Sequence, residues 1–178
     1  FGSPAGLSGV LVSDAIQFSL AMVGVTGAAY FALARPEVGG LQNLIATTDP
    51  QTLSLLPSFS NTDALLSLLI VPFLIQWWST WYPGAEPGGG SYIAQRMLAA
   101  RSPKDALQGT LWFNIAHYAL RPWPWILVAL ASMKVFPTLE DLRLALPHVD
   151  PALIGHDLAY PAMLLGLPSG LKGVVVAA

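Results

Sequence analysis

Two stretches of this chain run for about the thickness of a bilayer without a charged side chain. Between Asp14 and Arg35 the sequence reads AIQFSLAMVGVTGAAYFALA, and between Asp63 and Glu86 it reads ALLSLLIVPFLIQWWSTWYPGA. A helix needs about 20 predominantly apolar residues to cross the hydrocarbon core, and both intervals have that length. Two further segments qualify with interruptions: 106–135, which contains Arg121 and Lys134, and 158–178, which contains Lys172. Charged residues make up 10% of the chain and hydrophobic ones 54%, with a mean hydropathy of +0.57. A soluble domain carries about 25% charge on its surface. Four buried helices of a large soluble protein would leave the scarcity of charge in the connecting segments unexplained. The expected fold is an all-α membrane protein with about four transmembrane helices, roughly 10–34, 64–86, 106–135 and 158–178. They form part of a single transmembrane domain, with no separate soluble domain.

Lysine and arginine in short loops set the orientation. The connection after the second segment holds Arg96, Arg101 and Lys104, whereas 36–63 holds Glu37, Asp49 and Asp63 without a basic residue. Loop 96–104 is therefore expected in the cytoplasm of a multi-pass inner-membrane protein. The third connection, 137–157, falls outside and is acidic apart from Arg143. Within it PTLEDLRLALP has a Thr cap, early acids and helical leucine spacing, which predicts a short outer helix. A second helix, lying on the membrane surface, is expected within 36–63. A net charge of −2 argues against a nucleic-acid partner, and with no cysteine there is neither a disulfide framework nor a thiolate metal site. The chain opens without Met at FGSP and stops inside the apolar GVVVAA, so it is expected to be an excerpt of a longer membrane protein.

The sharpest irregularity is WYPGAEPGGGSY, at 81–92. Prolines remove backbone donors and glycines admit unusual backbone angles. In hydrocarbon the freed groups cost several kcal/mol each unless protein or water satisfies them, so such breaks occur where they line a cavity. Pro83, Pro87, Gly88, Gly89 and Gly90 form either a helix break of that kind or a cytoplasmic turn before Arg96. Glu86, its only carboxylate, is either a functional group at membrane depth or the partner of Arg96 or Arg121 in a structural salt bridge.

Three stretches then carry a family likeness: GLSGVLVSDAIQFSLAMVG at 6–24, GGGSYIAQRMLAARSPKDALQG at 88–109 and DLAYPAMLLGLPSGLKGVVVAA at 157–178. In this order and spacing they resemble consecutive signatures of the sodium:solute symporter family. The resemblance implies a LeuT-type inverted-repeat core, of which this chain would hold the fifth to the early eighth helix. It also implies Na⁺-coupled symport of a small organic solute by alternating access, with Na⁺ as coupling ion and the lipid bilayer as surroundings. The main Na⁺ ligands would lie outside this chain, so no metal site is expected within it.

Aligned without gaps from Gln95 and Arg96, His117 takes the place of a substrate-contacting lysine of sugar-transporting members. Glu86 then replaces an inner-gate tyrosine and Pro83 a substrate-binding asparagine, so the sugar pattern is altered; Tyr82 or Tyr92 is left to supply a gate. Arg121 follows His117 by four residues, which places both on one face of a regular helix, and Pro122 and Pro124 predict a kink there. The resemblance also puts Asp14 and Gln17 on the cation's route to the inside; the competing view makes Asp14 a residue favoured by the helix dipole. The expected substrate-binding set is His117, Glu86, Tyr82 and Arg121. An alternative is a symporter-like membrane module that senses rather than transports. An enzyme is disfavoured, because His117, His148 and His156 are scattered and no nucleophile–base pair is spaced for catalysis.

Overall fold

The computed structural model describes residues 6–76 and 96–177, and all regular secondary structure among them is helical. In chain order the α-helices are α1 (Leu7–Leu33), α2 (Gly40–Thr47), α3 (Pro50–Leu53), α4 (Thr62–Leu65), α5 (Pro103–Asn114), α6 (Pro122–Val135), α7 (Leu139–Ala145), α8 (Ala159–Leu165) and α9 (Ser169–Ala177). They belong to two compact units, Phe1–Thr47 with Arg121–Ala178, and Thr48–Leu120.

In the first unit α1 packs against α6 and α9, and α6 also receives α8. Helix α1 has no internal proline and no charge after Asp14, and Pro36 stops it by disfavouring helical backbone at Arg35. Its side chains are distributed in reverse of a water-soluble helix. Apart from Val25 the buried positions are small, with Ala28 at 1% and Ala32 at 3% exposure, while Val12 at 61%, Ile16 at 55% and Val23 at 64% point outward. Glycines bring α9 close: a Cβ on Gly27 would lie 2.8 Å from Leu171 Cδ1, and one on Gly24 would lie 3.4 Å from the Val175 Cα.

One end of this core is closed by α2. Gly39 and Gly40 turn the chain with φ of 68° and 87°, a backbone region costly for residues with a Cβ. The turn drives Val38 and Leu44 to full burial among Ala28, Val128 and Met163. Burying a leucine of that kind contributes about 1.5–3 kcal/mol. Lys134 Nζ donates to the Thr47 carbonyl at 2.7 Å, which fastens the end of α2 to α6. A second cluster, Leu142, Leu146, Ile154 and Ala162, seats α7. Helix α7 is the short helix predicted from PTLEDLRLALP. Its capping box is complete: the Thr138 hydroxyl accepts from Asp141 N–H, while Asp141 Oδ2 accepts from the Thr138 N–H at 2.9 Å and from its hydroxyl at 2.6 Å. These bonds hold the Asp141 carboxyl below the usual carboxylate range, the Thr138 hydroxyl contributing most.

In the second unit α4 continues as π-helical turns over Leu66–Ile70 and Pro72–Gln76. Helix α5 starts on a Ser102 cap, whose hydroxyl accepts from Asp105 N–H at 3.2 Å with Pro103 in the first turn, and runs into another π turn, Ile115–Leu120. Two of the three π stretches, Leu66–Ile70 and Ile115–Leu120, end just before a proline. Pro72 and Pro122 lack the N–H that would bond the carbonyl four residues back, so Leu68 and Tyr118 lose their α-type partners and the turn widens.

Of the four expected spans, one is a single helix long and apolar enough to cross a membrane, Gly9–Leu33. The second is helical and apolar over Thr62–Ile75, and its continuation at 77–86 lies outside the described residues. The third and fourth differ from expectation, because each is two helices rather than one. Segment 106–135 divides at Arg121, where Pro122 and Pro124 withdraw two donors. Segment 158–178 divides at Gly166–Pro168, and Lys172 Nζ donates back across the gap to the Leu165 carbonyl at 2.7 Å. Pro168 ends the first of these helices by the same loss of a donor.

Candidate functional site

His117 sits inside the π turn Ile115–Leu120, a departure from α geometry that is frequent at functional positions. Its imidazole is stacked on Phe113, with ring centroids 5.3 Å apart and planes 10° from parallel, and meets Tyr118 edge-on at 4.8 Å. Phe113 is four residues earlier, the spacing at which side chains on one helix face meet. The stack fixes the ring plane, so the imidazole edge, which carries the nitrogens, is the part that can address a polar solute. One edge suits a hydroxyl, a carboxylate or a carbonyl equally, since a neutral imidazole both donates and accepts.

Arg121 begins α6 and leans over the Trp125 ring with Cζ 4.9 Å from the centroid, close enough for a cation–π attraction. His117 has Phe113 and Tyr118 as ring partners, and Arg121 has Trp125. The π turn and the bend at Arg121 interrupt the regular helix that the spacing argument assumes.

Asp14 and Gln17 lie one turn apart on α1, both exposed. They stand on the part of α1 that also exposes Val12 and Ile16. Glu86, Tyr82, Pro83, Pro87, Gly88, Gly89, Gly90 and Tyr92 lie outside the described residues. Among the described residues no three His, Asp or Glu side chains converge on a metal-sized site.

Sequence reasoning missed the π turns and the His117–Phe113 stack. Internal Pro72 and Pro122 signal the first, and the four-residue spacing of the two rings signals the second. The chain matches no family model, no curated protein and no solved structure.

Proposed function

We propose that this chain belongs to an integral-membrane secondary transporter of the inner membrane, which couples inward Na⁺ flow to uptake of a small organic solute by alternating access. The observation that carries the reading is the distribution on α1: apart from Val25, glycine and alanine inside, and large aliphatic side chains outside. In lipid, burying a leucine against protein gains little over leaving it among acyl chains, so helices associate through small residues that let their backbones approach. Gly24, Gly27, Ala28 and Ala32 supply that contact, and the outward Val12, Ile16 and Val23 suit hydrocarbon.

The interrupted helices support the same reading. Breaks at Arg121 and at Gly166–Pro168 free backbone groups that an apolar surrounding penalises unless they face protein or water, which is how transporters of this architecture build binding sites. In this proposal His117 contacts the solute through its imidazole edge, with Phe113 and Tyr118 holding the ring. Asp14 and Gln17 attend the cation near the cytoplasmic start of α1, where a carboxylate raises the local Na⁺ concentration. Glu86, Tyr82 and Arg121 are the other substrate candidates read from the sequence, and Pro83, Pro87, Gly88, Gly89, Gly90 and Tyr92 are its gate candidates. The order of the three signature stretches along the chain is the reason for choosing Na⁺ symport over other membrane functions.

The test is uptake of labelled sugars, amino acids, carboxylates and nucleosides by the protein in proteoliposomes, with and without a Na⁺ gradient. At least one solute should accumulate and leak back when the gradient is dissipated. Uptake indifferent to Na⁺ would sink the coupling. Saturable solute binding without any uptake would favour the sensory module.

A further inference from the structure

Arg35 follows the last turn of α1 and is partly buried, yet among the described residues no hydrogen bond or ion pair engages its guanidinium. It rests on Gly166, the residue that ends α8, where a Cβ would overlap the guanidinium. Phe31, Pro36, Met163 and Leu167 join the two residues in lining a cavity of about 330 Å³. That volume lies at the lower end of small-molecule sites. Lys172 Nζ is engaged by the carbonyl of Leu165, the residue before Gly166, and does not line the cavity. The cavity lining contains no carboxylate.

The carbonyl ends of α1 and α8 favour the Arg35 cation here and oppose an anion, so an oxyanion must be held by the guanidinium itself; among the described residues no carbonyl accepts a hydrogen bond from the Arg35 guanidinium. Arg35 is the charged side chain of the lining. A guanidinium presents a rigid fork of donors that matches the paired oxygens of a carboxylate or a phosphate.

We infer that the cavity between Arg35 and Gly166 binds a small oxyanion, a carboxylate or a phosphate group. The site stands on the first unit alone and requires neither Na⁺ coupling nor solute transport. Glycine at 166 makes room for the guanidinium, and Arg35 supplies the fork. Two sources of the anion share this chemistry: a soluble organic acid or inorganic phosphate, and the headgroup phosphate of a lipid.

The experiment titrates the purified protein in dodecyl maltoside with sodium acetate, inorganic phosphate and dioctanoyl phosphatidylglycerol in turn. Total ionic strength is held constant with sodium chloride, and the shift in melting midpoint is read against concentration. At least one probe should give a saturable shift. Arg35→Gln should weaken it by about tenfold or more, the loss of a charged bidentate contact. Gly166→Ala should do the same while keeping the arginine, because it displaces the guanidinium. Arg35→Lys should fall between, and it decides the matter should Arg35→Gln not fold. Saturation by acetate or phosphate identifies a soluble anion, and saturation by the lipid alone identifies a headgroup; either supports the site. A wild-type protein with no saturable response to any of the three overturns it. So does equal affinity in the wild type, Gly166→Ala and an arginine variant.

Discussion

Gly27→Ala tests how closely α1 and α9 approach. On an isolated helix the change should stabilise by roughly 0.5–1 kcal/mol, because alanine loses less backbone entropy. Here the new methyl would stand 2.8 Å from Leu171 Cδ1 and 3.0 Å from Cδ2, so the leucine must turn or the helices must part. Overpacking of that kind costs about 1–3 kcal/mol. The net expectation is about 0 to 2.5 kcal/mol of destabilisation, the cost less the propensity gain. Gly173→Ala, on α9 with nothing within 4 Å of its new methyl, is the control and should stabilise. The two variants should therefore differ by about 1–3 kcal/mol. Unfolding by sodium dodecyl sulfate in mixed micelles, followed by the fluorescence of the 6 tryptophans, measures the difference. Leu171→Ala removes the opposing methyls, and in that background Gly27→Ala should no longer cost anything. If Gly27→Ala stabilises as much as Gly173→Ala, or if Leu171→Ala leaves its effect unchanged, the close contact is not where the structure puts it.

If the His117 imidazole bonds solute, His117→Ala should weaken solute binding by about 0.5–1.5 kcal/mol for a neutral hydrogen bond, or roughly 1.5–3 for a charged one, with little change in melting. Unchanged affinity with a lowered melting point would make the residue a structural one. Cysteines at exposed Ser60 and Arg101 should be labelled from opposite sides of the membrane, the one at Arg101 from the cytoplasm; labelling from a single side refutes the proposed topology. Thr48, buried beside the end of α2, is a poor labelling site for that test. The depressed Asp141 carboxyl stabilises the fold above its unfolded value, and the benefit disappears as pH falls through the folded one. The gap in melting midpoint between wild type and Thr138→Ala should accordingly narrow between about pH 5 and pH 2, leaving only the pH-independent part of the lost cap. A constant gap across that range would show that the hydroxyl does not act through the carboxylate.

Helix α1 was legible because twenty uncharged residues without a proline leave the backbone little alternative. Helix α7 was legible because Thr138 and Asp141 stand three apart ahead of a leucine pattern, and local bonds alone make the cap. The division of 106–135 and 158–178 was half legible. Pro122 and Pro168 announce a disturbance, but whether a helix bends, widens to a π turn or stops depends on which carbonyls find other partners. The seam of Gly24 and Gly27 was hidden for a different reason. Spacing tells which residues share a face, and only the folded chain tells that Leu171 and Val175 oppose them. At the candidate site His117 was singled out on likeness, whereas its support by Phe113 was available from spacing.

The first unit is assembled from the two ends of the chain, with 48–120 between them. During synthesis α1 and α2 are therefore complete long before α6, α8 and α9 exist to receive them. At roughly 5–20 residues per second the intervening stretch takes on the order of 4–15 s to make. For that time α1 lacks α6 and α9, and Leu44 has no Val128 or Met163 to enter. A helix with a leucine-rich inner face would be prone to premature pairing in such an interval. One that offers chiefly glycine and alanine holds little for a wrong partner to grip before α6 and α9 arrive.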